Sequence, residues 1–214
     1  MTDRNQKIKL SRPITVEDLY RTKFNVLPFS GAFKQLMGQP EVLGSWLIFG
    51  YSTQGKTRFI LQLAKYMANF GKVFINSLEE GKSESIKQGF IAERMEDVRN
   101  RVYLLDREPL EHVKERLRRR NAPDFVFFDS VQFMQEFTID DYIALLDEFA
   151  HKNKLFVFTS HAKGKEPKGS VADAIYYRSF VKLRVDGYRV FPQSRYGGNH
   201  YYDIWPEKAQ AYHL

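Results

Sequence analysis

Short apolar runs alternate with longer amphipathic segments over most of the chain. In the longer segments apolar side chains recur three or four positions apart, as on one face of a helix. The short runs are almost continuously apolar, which is typical of strands buried on both faces. The predicted strands cover residues 46–49, 72–77, 101–105, 125–128 and 155–159, and the predicted helices cover 57–70, 85–94, 110–120 and 139–152. This alternation predicts a mostly parallel sheet with helices on both faces.

The pattern changes after residue 175. Residues Phe180–Val185 and Tyr188–Phe191 alternate apolar and polar positions around Asp186-Gly187, which favours a β-hairpin. A further strand is predicted over His200–Trp205, after Gly197-Gly198. We therefore expect an α/β fold whose C-terminal strands are antiparallel and extend the same sheet.

Residues 1–28 are mostly polar and differ from the rest of the chain. A short helix is predicted over Thr15–Tyr20, because this segment follows Pro13 and carries acidic side chains in its first turn. The turn-forming sequence Leu27-Pro28-Phe29-Ser30-Gly31 comes next. We expect one α/β domain over residues 29–214, preceded by an N-terminal appendage over residues 1–28.

Composition restricts the possible functions. The 214 residues include no cysteine, which excludes a disulfide framework, a cysteine-ligated zinc site and thiol catalysis. The longest apolar runs are far shorter than the roughly 20 residues of a membrane helix, and the polar, basic N-terminus predicts no secretory signal. A cytoplasmic protein is therefore expected. The net charge of +7 favours a polyanionic partner, nucleic acid first among them.

The most specific motif is Gly50-Tyr51-Ser52-Thr53-Gln54-Gly55-Lys56-Thr57, which matches the phosphate-loop pattern G-x-x-x-x-G-K-[ST]. It stands between a predicted strand and a predicted helix, as this motif requires. Its glycines let backbone N–H groups face phosphate oxygens, Lys56 pairs with the β- and γ-phosphates, and Thr57 offers a hydroxyl to Mg²⁺. The predicted nucleotide-binding residues are Gly50, Ser52, Thr53, Gln54, Gly55, Lys56, Thr57 and Arg58. ATP and Mg²⁺ are the expected cofactors.

Carboxylates after two other strands complete the predicted site. Asp129 ends an apolar strand, at the edge where open α/β sheets bind ligands, and is predicted to hold Mg²⁺ together with Thr57. No acid follows Asp129, so the group that activates water must lie elsewhere. Glu79 and Glu80 follow the second predicted strand. We predict that Glu79 is the catalytic base, with Glu80 as second choice, and that Lys56 is also catalytic.

Together these residues resemble the RecA-like P-loop ATPase core, especially that of RadA/Sms and of DnaB-type helicases. Ser77-Leu78-Glu79-Glu80 is similar to the family segment that carries the catalytic glutamate, and Asp129-Ser130 is similar to the end of its Walker B strand. Phe156–His161 resembles the strand whose polar end senses the γ-phosphate, which implies a catalytic role for His161. The resemblance covers residues 30–206 and implies an oligomer that acts on single-stranded DNA.

The resemblance also implies roles for cations in two later segments. In the family, a mobile loop after the sensor strand contacts single-stranded DNA, and residues 162–177 take its place here. The family motif K-N-R-F-G is similar to Gln193-Ser194-Arg195-Tyr196-Gly197, which implies that Arg195 reaches the ATP of a neighbouring subunit. Gln193 replaces the first cation of that motif. The nucleic-acid contacts implied by the resemblance are Lys163, Lys165 and Lys168.

The sequence leaves more than one function open. The leading hypothesis is a RecA-like ATPase that acts on single-stranded DNA in recombination, repair or replication. The alternative is a KaiC-like regulatory P-loop ATPase that acts through protein partners. A small-molecule kinase is disfavoured, because no arginine-rich lid is evident, and a module that only binds DNA is disfavoured by the intact Lys56, Thr57 and Asp129.

Overall fold

The computed structural model describes residues 12–214, and within them the strands form one nine-stranded sheet. The order across the sheet is β3-β2-β4-β5-β1-β7-β8-β9, and β6 pairs with the end of β5. The strands are β1 (Ser45–Gly50), β2 (Val73–Ser77), β3 (Val102–Asp106), β4 (Phe125–Asp129), β5 (Leu155–Lys163), β6 (Glu166–Pro167), β7 (Val181–Asp186), β8 (Arg189–Ser194) and β9 (Tyr202–Asp203). The sequence correctly predicted an α/β fold with a mostly parallel sheet.

Helices cover both faces of the sheet, as the apolar strands require. The helices are α1 (Val16–Arg21), α2 (Gly31–Met37), α3 (Lys56–Met67), α4 (Glu84–Ala92), α5 (Leu110–Arg118), α6 (Ile139–Phe149), α7 (Ser170–Arg178) and α8 (Pro206–Tyr212), with short 3₁₀ helices at Met95–Val98 and Val131–Phe133. One core cluster joins the sheet to α2 and α3. A second joins its other face to α5, α6 and α7. No helix in the described part of the chain is long and apolar enough to cross a membrane.

The parallel register brings the carboxyl ends of four strands to one edge of the sheet. Gly50, at the end of β1, lies opposite His161 on β5. Ser77, at the end of β2, lies opposite Asp129 on β4. The segments that leave these strands therefore start close together, at the edge where the sequence predicts a nucleotide site.

The C-terminal strands extend the sheet, with two differences from the prediction. β7 pairs parallel to β1, and the antiparallel pairing begins only with β8, which forms a hairpin with β7 through Gly187. β9 is antiparallel to β8 but contains only Tyr202–Asp203, so it is shorter than expected.

Residues 162–177 form regular structure where the sequence predicted a mobile loop. β5 continues to Lys163 and turns at Gly164, which has a φ of +66°, into β6. Helix α7 follows directly and buries Ala172 and Ile175 against the sheet. The prediction of a loop was wrong because the segment has few apolar residues, and its order depends on contacts with distant parts of the chain.

The N-terminal helix α1 lies on the surface of the described chain, and a capping box at Thr15 and Asp18 stabilises it. None of its residues is buried. The core begins at Leu27, whose backbone N–H donates to the carbonyl of Pro40 at 2.8 Å, and continues with Phe29. The domain division at residue 28 stays a prediction, and this burial favours a boundary slightly before Leu27.

Two phenylalanines on either side of that boundary provide a test. Phe29 is 1% exposed and Phe24 is 53% exposed. We expect Phe29→Ala to lower the free energy of unfolding by about 3–5 kcal/mol, because a large cavity remains, and Phe24→Ala to change it by about 0.5 kcal/mol or less. Urea unfolding of both variants measures the difference. Equal losses would place Phe24 inside the folded domain.

Candidate functional site

The backbone between β1 and α3 has the shape of a phosphate-binding loop. A Cβ atom at Gly50 would lie 2.2 Å from the carbonyl oxygen of Val185, so only glycine fits there. Thr53 and Gly55 have positive φ values of 64° and 96°, and α3 begins at Lys56. This curled loop directs backbone N–H groups, and the positive end of a 12-residue helix, to the same space.

The turn of the β7–β8 hairpin holds the phosphate loop in place through hydrogen bonds to Gln54. The N–H of Tyr188 donates to the carbonyl of Gln54 at 3.2 Å, and the N–H of Gly187 donates to its side-chain Oε1 at 3.3 Å. A Cβ atom at Gly187 would lie 2.0 Å from the ring of Tyr212, which is on α8. The loop conformation therefore depends on C-terminal residues that are remote in sequence.

Lys56 is buried, and its side chain reaches across the phosphate loop to Tyr51, the second residue of the motif. Its Nζ donates a hydrogen bond to the carbonyl of Tyr51 at 2.8 Å. Burial lowers the pKa of Lys56, and the negative charges of Asp129 and Glu79 oppose this shift. The ammonium group therefore lies beside the space enclosed by the loop, with both carboxylates near enough to act on its charge.

Asp129 is a buried carboxylate at the end of β4. Its Oδ1 accepts a hydrogen bond from the hydroxyl of Thr159 at 2.6 Å. Burial raises the pKa of Asp129 to about 6, the Thr159 hydrogen bond opposes the rise, and the charge of Glu79 adds to it. Because negative charge exceeds positive charge in this region, a bound cation would be stabilised here.

Glu79 lies between Asp129 and His161. The N–H groups of Leu78 and Glu79 donate to the carbonyl of Asp129 at 2.7 and 3.0 Å, which fixes the chain as it leaves β2. The carboxylate of Glu79 is 40% exposed, and its Oε2 lies 3.5 Å from Nε2 of His161. The other ring nitrogen of His161 lies 3.4 Å from the hydroxyl of Ser52. The structure thus brings four predicted site residues together, namely Ser52, Glu79, Asp129 and His161.

The residues present fit Mg²⁺ and a nucleotide. Glu80 has a buried side-chain oxygen without a hydrogen-bond partner, and its charge acts on Asp129. Within residues 12–214 no three acidic or histidine side chains form a group able to hold a metal by themselves. Mg²⁺ commonly binds one or two protein carboxylates and completes its shell with water and phosphate. An unpaired buried oxygen beside Asp129 suits such a shell.

The side chain of Arg58 lies away from the phosphate loop. Its Nε donates to Oε1 of Glu93 at 2.5 Å, and its guanidinium lies 4.3 Å from the centre of the Trp205 ring. Only the backbone of Arg58, in the first turn of α3, remains near the loop. The prediction that Arg58 binds the nucleotide therefore rests on its backbone alone, because its side chain is held by Glu93 and Trp205. Sequence could not show these partners, since both are distant along the chain.

Arg195 lies at the opposite end of the sheet from the phosphate loop. Its neighbour Ser194 pairs with Val181, at the start of β7, whereas Gly50 pairs with Val185, near the end of that strand. At about 3.3 Å per residue this separation is about 13 Å along β7 alone. Arg195 therefore cannot reach the phosphate loop of its own chain.

The predicted nucleic-acid contacts lie on one exposed hairpin, which we call the lysine hairpin and define as residues 162–168. Its tip is joined to the phosphate loop, because the N–H of Gly164 donates to the hydroxyl of Tyr51 at 2.8 Å. Its base is joined to Gln132, whose amide donates to the carbonyl of Lys168 at 2.7 Å and to the Ser160 hydroxyl at 2.8 Å. The exposed lysines of the hairpin are Lys163, Lys165 and Lys168.

Sequence reasoning missed Tyr51 and Gln132 as residues that connect parts of the site. The side-chain oxygen of Gln132 also accepts from the N–H of His161 at 3.2 Å. Neither residue occupies a required position of a motif, so no local signal identified either of them. Thr159, which holds Asp129, was likewise visible only as part of the strand before His161.

The buried charge of Asp129 makes stability depend on pH. Folding raises the pKa of Asp129, so the folded state binds its proton more tightly than the unfolded chain does. The free energy of unfolding therefore decreases as the pH rises from about 4 to about 6. We expect Asp129→Asn to remove this loss and to increase the free energy of unfolding at pH 8 by roughly 3 kcal/mol, at about 1.4 kcal/mol per pKa unit. Urea unfolding without nucleotide or Mg²⁺, at several pH values, measures it.

The control for this measurement is Asp147→Asn, which changes an exposed carboxylate on α6. Its stability should follow the pH dependence of the unchanged chain. If both variants follow that dependence equally, the raised pKa of Asp129 is wrong.

Comparisons with known proteins agree with this geometry. No protein-family model matches the chain. A curated DNA repair protein RadA from Streptococcus pyogenes is 30% identical over 128 residues, which is 57% of this chain. Because the match covers only 26% of RadA, the chain spans about a quarter of the length of that relative.

Two solved structures share the fold over most of their length. The flagellar accessory protein FlaH from Methanocaldococcus jannaschii has a TM-score of 0.56 and 17% identity, over 85% of this chain and 92% of FlaH. A KaiC-like protein from Pyrococcus horikoshii has a TM-score of 0.56 and 16% identity, over 82% of this chain and 87% of its own. With the phosphate loop and the strand order described above, these similarities identify the fold as that of a RecA-like P-loop ATPase core.

Proposed function

We propose that the protein binds ATP with Mg²⁺, hydrolyses it, and acts as a homo-oligomer on single-stranded DNA in the cytoplasm. The observation that carries the proposal is the convergence of Lys56, Asp129 and Glu79 at one edge of the sheet, around the phosphate loop. In this proposal residues 29–214 are the ATPase domain, and its work serves recombination, repair or replication.

The phosphate loop would hold the nucleotide through backbone N–H groups and the charge of Lys56. The N–H groups are those of Ser52, Thr53, Gln54, Gly55, Lys56, Thr57 and Arg58. When bound, Mg²⁺ neutralises phosphate charge as it builds during bond cleavage. The hydroxyl of Thr57 and the carboxylate of Asp129 are the protein groups proposed to hold it, Asp129 directly or through water.

Glu79 is the proposed base that orients and deprotonates the attacking water. Its carboxylate is partly exposed, so water reaches it, and it lies within the range of the charges of both Lys56 and Asp129. His161, 3.5 Å from that carboxylate, is the proposed sensor of the phosphate, because its backbone continues directly into the lysine hairpin.

The DNA-binding part of the proposal rests on the lysine hairpin and on the partial similarity to a DNA repair protein. Three exposed lysines lie within six residues of one another, with Glu166 as the only acid among them. Cations placed this way neutralise backbone phosphates and make binding depend on salt. The bonds of Gly164 and Lys168 to the ATP-site residues Tyr51 and Gln132 provide a route between the two sites.

The alternative is a regulatory ATPase that acts through protein partners. The observation that favours it is that the FlaH and KaiC-like structures match most of their own length, whereas the RadA match covers a quarter of RadA. Both hypotheses use the same nucleotide site. They differ in whether the lysine hairpin binds nucleic acid.

An oligomer is proposed because the resemblance assigns Arg195 to the ATP of a neighbouring subunit, and Arg195 is too far from the phosphate loop of its own chain to act there. On a neighbouring copy its planar guanidinium would donate hydrogen bonds to phosphate oxygens and stabilise their charge as the bond breaks. Such arginines contribute roughly 10³–10⁵ in rate in other phosphoryl-transfer proteins.

Replacing the lysine and the proposed base should separate nucleotide binding from hydrolysis. We expect Lys56→Ala to abolish both, because the charge that pairs with phosphate is lost. Glu79→Gln should bind ATP as tightly as the unchanged chain but hydrolyse it about 10²–10⁴-fold more slowly, because an amide accepts no proton. Phosphate release and binding of a fluorescent ATP analogue measure the two properties.

Glu80→Gln is the matched control for this experiment, since it changes the adjacent carboxylate in the same way. It should keep most of the hydrolysis rate. If Glu80→Gln loses turnover and Glu79→Gln keeps it, the base assignment is wrong and Glu80 takes that role.

Neutralising the lysine hairpin should separate the two functional hypotheses. We expect replacement of Lys163, Lys165 and Lys168 by alanine to weaken binding of single-stranded DNA, because three phosphate contacts are lost. The plot of log K against log salt has a negative slope, and its magnitude should decrease by about 2, at about 0.7 per lost contact. Fluorescence anisotropy with a labelled oligonucleotide at several salt concentrations measures both.

A control with equal loss of charge replaces the exposed lysines Lys23, Lys87 and Lys152, which lie on other parts of the surface. Its affinity should fall less and its salt slope should change less. Equal behaviour of the two triple variants would contradict a DNA site on the hairpin and favour the regulatory ATPase.

A further inference from the structure

Arg107, directly after β3, contacts the chain that leaves β2. Strand β3 ends at Asp106, and Arg107 has a φ of +52°, in the left-handed region that few residues other than glycine adopt. Its Nη2 donates to the carbonyl of Glu80 at 2.7 Å and to the carbonyl of Glu79 at 3.2 Å. One exposed side chain thus binds the backbone of both carboxylates considered as the base.

Gly81 leaves the space that this guanidinium occupies. A Cβ atom at Gly81 would lie 2.0 Å from Nη1 of Arg107, and Gly81 has a φ of +62°. The N–H of Lys82 donates to Oδ1 of Asp106 at 2.9 Å. The same oxygen lies 3.5 Å from Nη1 of Arg107, so it also orients the guanidinium. The turn of residues 79–82, which we call the glutamate turn, is therefore built around Arg107.

The segment that carries Arg107 is itself fixed to β2. The buried amide of Asn76 donates to the carbonyl of Glu108 at 2.8 Å, and its oxygen accepts from the N–H of Glu108 at 3.0 Å. Asn76 lies one position before the end of β2, and β3 pairs with β2 along its whole length. Two hydrogen bonds to one residue hold the backbone directly after Arg107, so the guanidinium extends from a fixed point.

The backbone of Glu79 is held from both neighbouring strands. Its N–H donates to the carbonyl of Asp129, at the end of β4, at 3.0 Å, and its carbonyl accepts from Arg107, next to the end of β3. Its carboxylate is 40% exposed, and His161, at 3.5 Å, is its one ion-pair partner within residues 12–214. The position of this carboxylate therefore depends on the backbone. Such precision matters, since a displacement of about 1 Å can lower a rate roughly 10²-fold.

We propose that Arg107 is a positioning residue for hydrolysis, which holds the carboxylate of Glu79 in place by binding the carbonyls of Glu79 and Glu80. The inference rests on the proposed function, in which Glu79 activates water, and adds the residue that sets the position of this base. The guanidinium acts on backbone carbonyls and takes no part in bond cleavage. Its loss should slow turnover without weakening nucleotide binding, because the phosphate loop and Lys56 are unchanged.

Replacing Arg107 by alanine tests whether turnover and binding separate in this way. We expect Arg107→Ala to lower kcat about 10- to 10²-fold and to change the affinity for a fluorescent ATP analogue by less than about twofold. Arg94→Ala is the matched control, because Arg94 is also exposed, has a φ of +51° and pairs with Asp97 at 3.5 Å. Arg94→Ala should keep the rate of the unchanged chain. Equal kcat values in the two variants would overturn the role of Arg107.

A double variant distinguishes an effect through Glu79 from a general effect on the fold. If Arg107 acts by placing the carboxylate of Glu79, its loss matters little once that carboxylate is gone. We therefore expect Arg107→Ala to change the residual rate of Glu79→Gln by less than about twofold, as non-additive residues do. Single-turnover hydrolysis with protein in excess measures this rate. A loss as large as in the unchanged chain would show that Arg107 acts elsewhere and would overturn the proposal.

Amide exchange tests the glutamate turn without hydrolysis. We expect the N–H groups of Leu78, Glu79 and Lys82 to exchange with deuterium about tenfold faster or more in Arg107→Ala than in Arg94→Ala, because the turn opens more often. If the unchanged chain hydrolyses no ATP, the proposed function fails, and this exchange still decides whether Arg107 holds the turn. If hydrolysis requires Glu79 but Arg107→Ala alters neither kcat nor exchange, the ATPase stands and the role of Arg107 is overturned.

Discussion

The carboxylate of Asp129, buried at the end of β4, is the constraint around which this site is built. Removing such a charge from water costs free energy unless a proton, a hydrogen bond or a cation compensates. The hydroxyl of Thr159 compensates in part, and Lys56 approaches from the phosphate loop. The carbonyl of the same residue accepts two N–H groups from the chain leaving β2, so Asp129 also fixes the origin of the segment that carries Glu79.

The β7–β8 hairpin positions functional residues both at its turn and at its open end. At the turn, Gly187 and Tyr188 hold Gln54 and so fix the shape of the phosphate loop. At the open end, the pairing of Ser194 with Val181 fixes the start of the segment that carries Arg195. One antiparallel pair, joined to the parallel sheet only through β7, thus connects the two halves of the proposed interface between copies.

Local patterns predicted what depends on local sequence. Each apolar run, and the phosphate-loop motif, is a continuous stretch of sequence. The strands along the chain could therefore be predicted, as could the positions of Lys56 and Asp129 at strand ends. What depends on contacts between distant segments could not. Arg58 has the right position in the motif, but its side chain pairs with Glu93 on the turn after α4.

Two further cases show the same limit. Arg107 belongs to no motif, and only the structure shows that its guanidinium reaches the carbonyls of Glu79 and Glu80. Helix α7 was missed because its two buried residues, Ala172 and Ile175, give a weak period on their own and pack against strands elsewhere in the chain. In each case the sequence did not show which other strand or helix packs against the segment in question.

Tyr51 links the phosphate loop to the lysine hairpin, so a change at one of them affects the other. Its carbonyl accepts the ammonium of Lys56, and its hydroxyl accepts the N–H of Gly164 at the tip of the lysine hairpin. A ligand that draws Lys56 away from Tyr51 changes one of these bonds and so alters the free energy of the other. Coupling of this kind is reciprocal: by whatever factor a phosphate ligand changes the affinity of the hairpin for its partner, that partner changes the affinity for the phosphate ligand by the same factor.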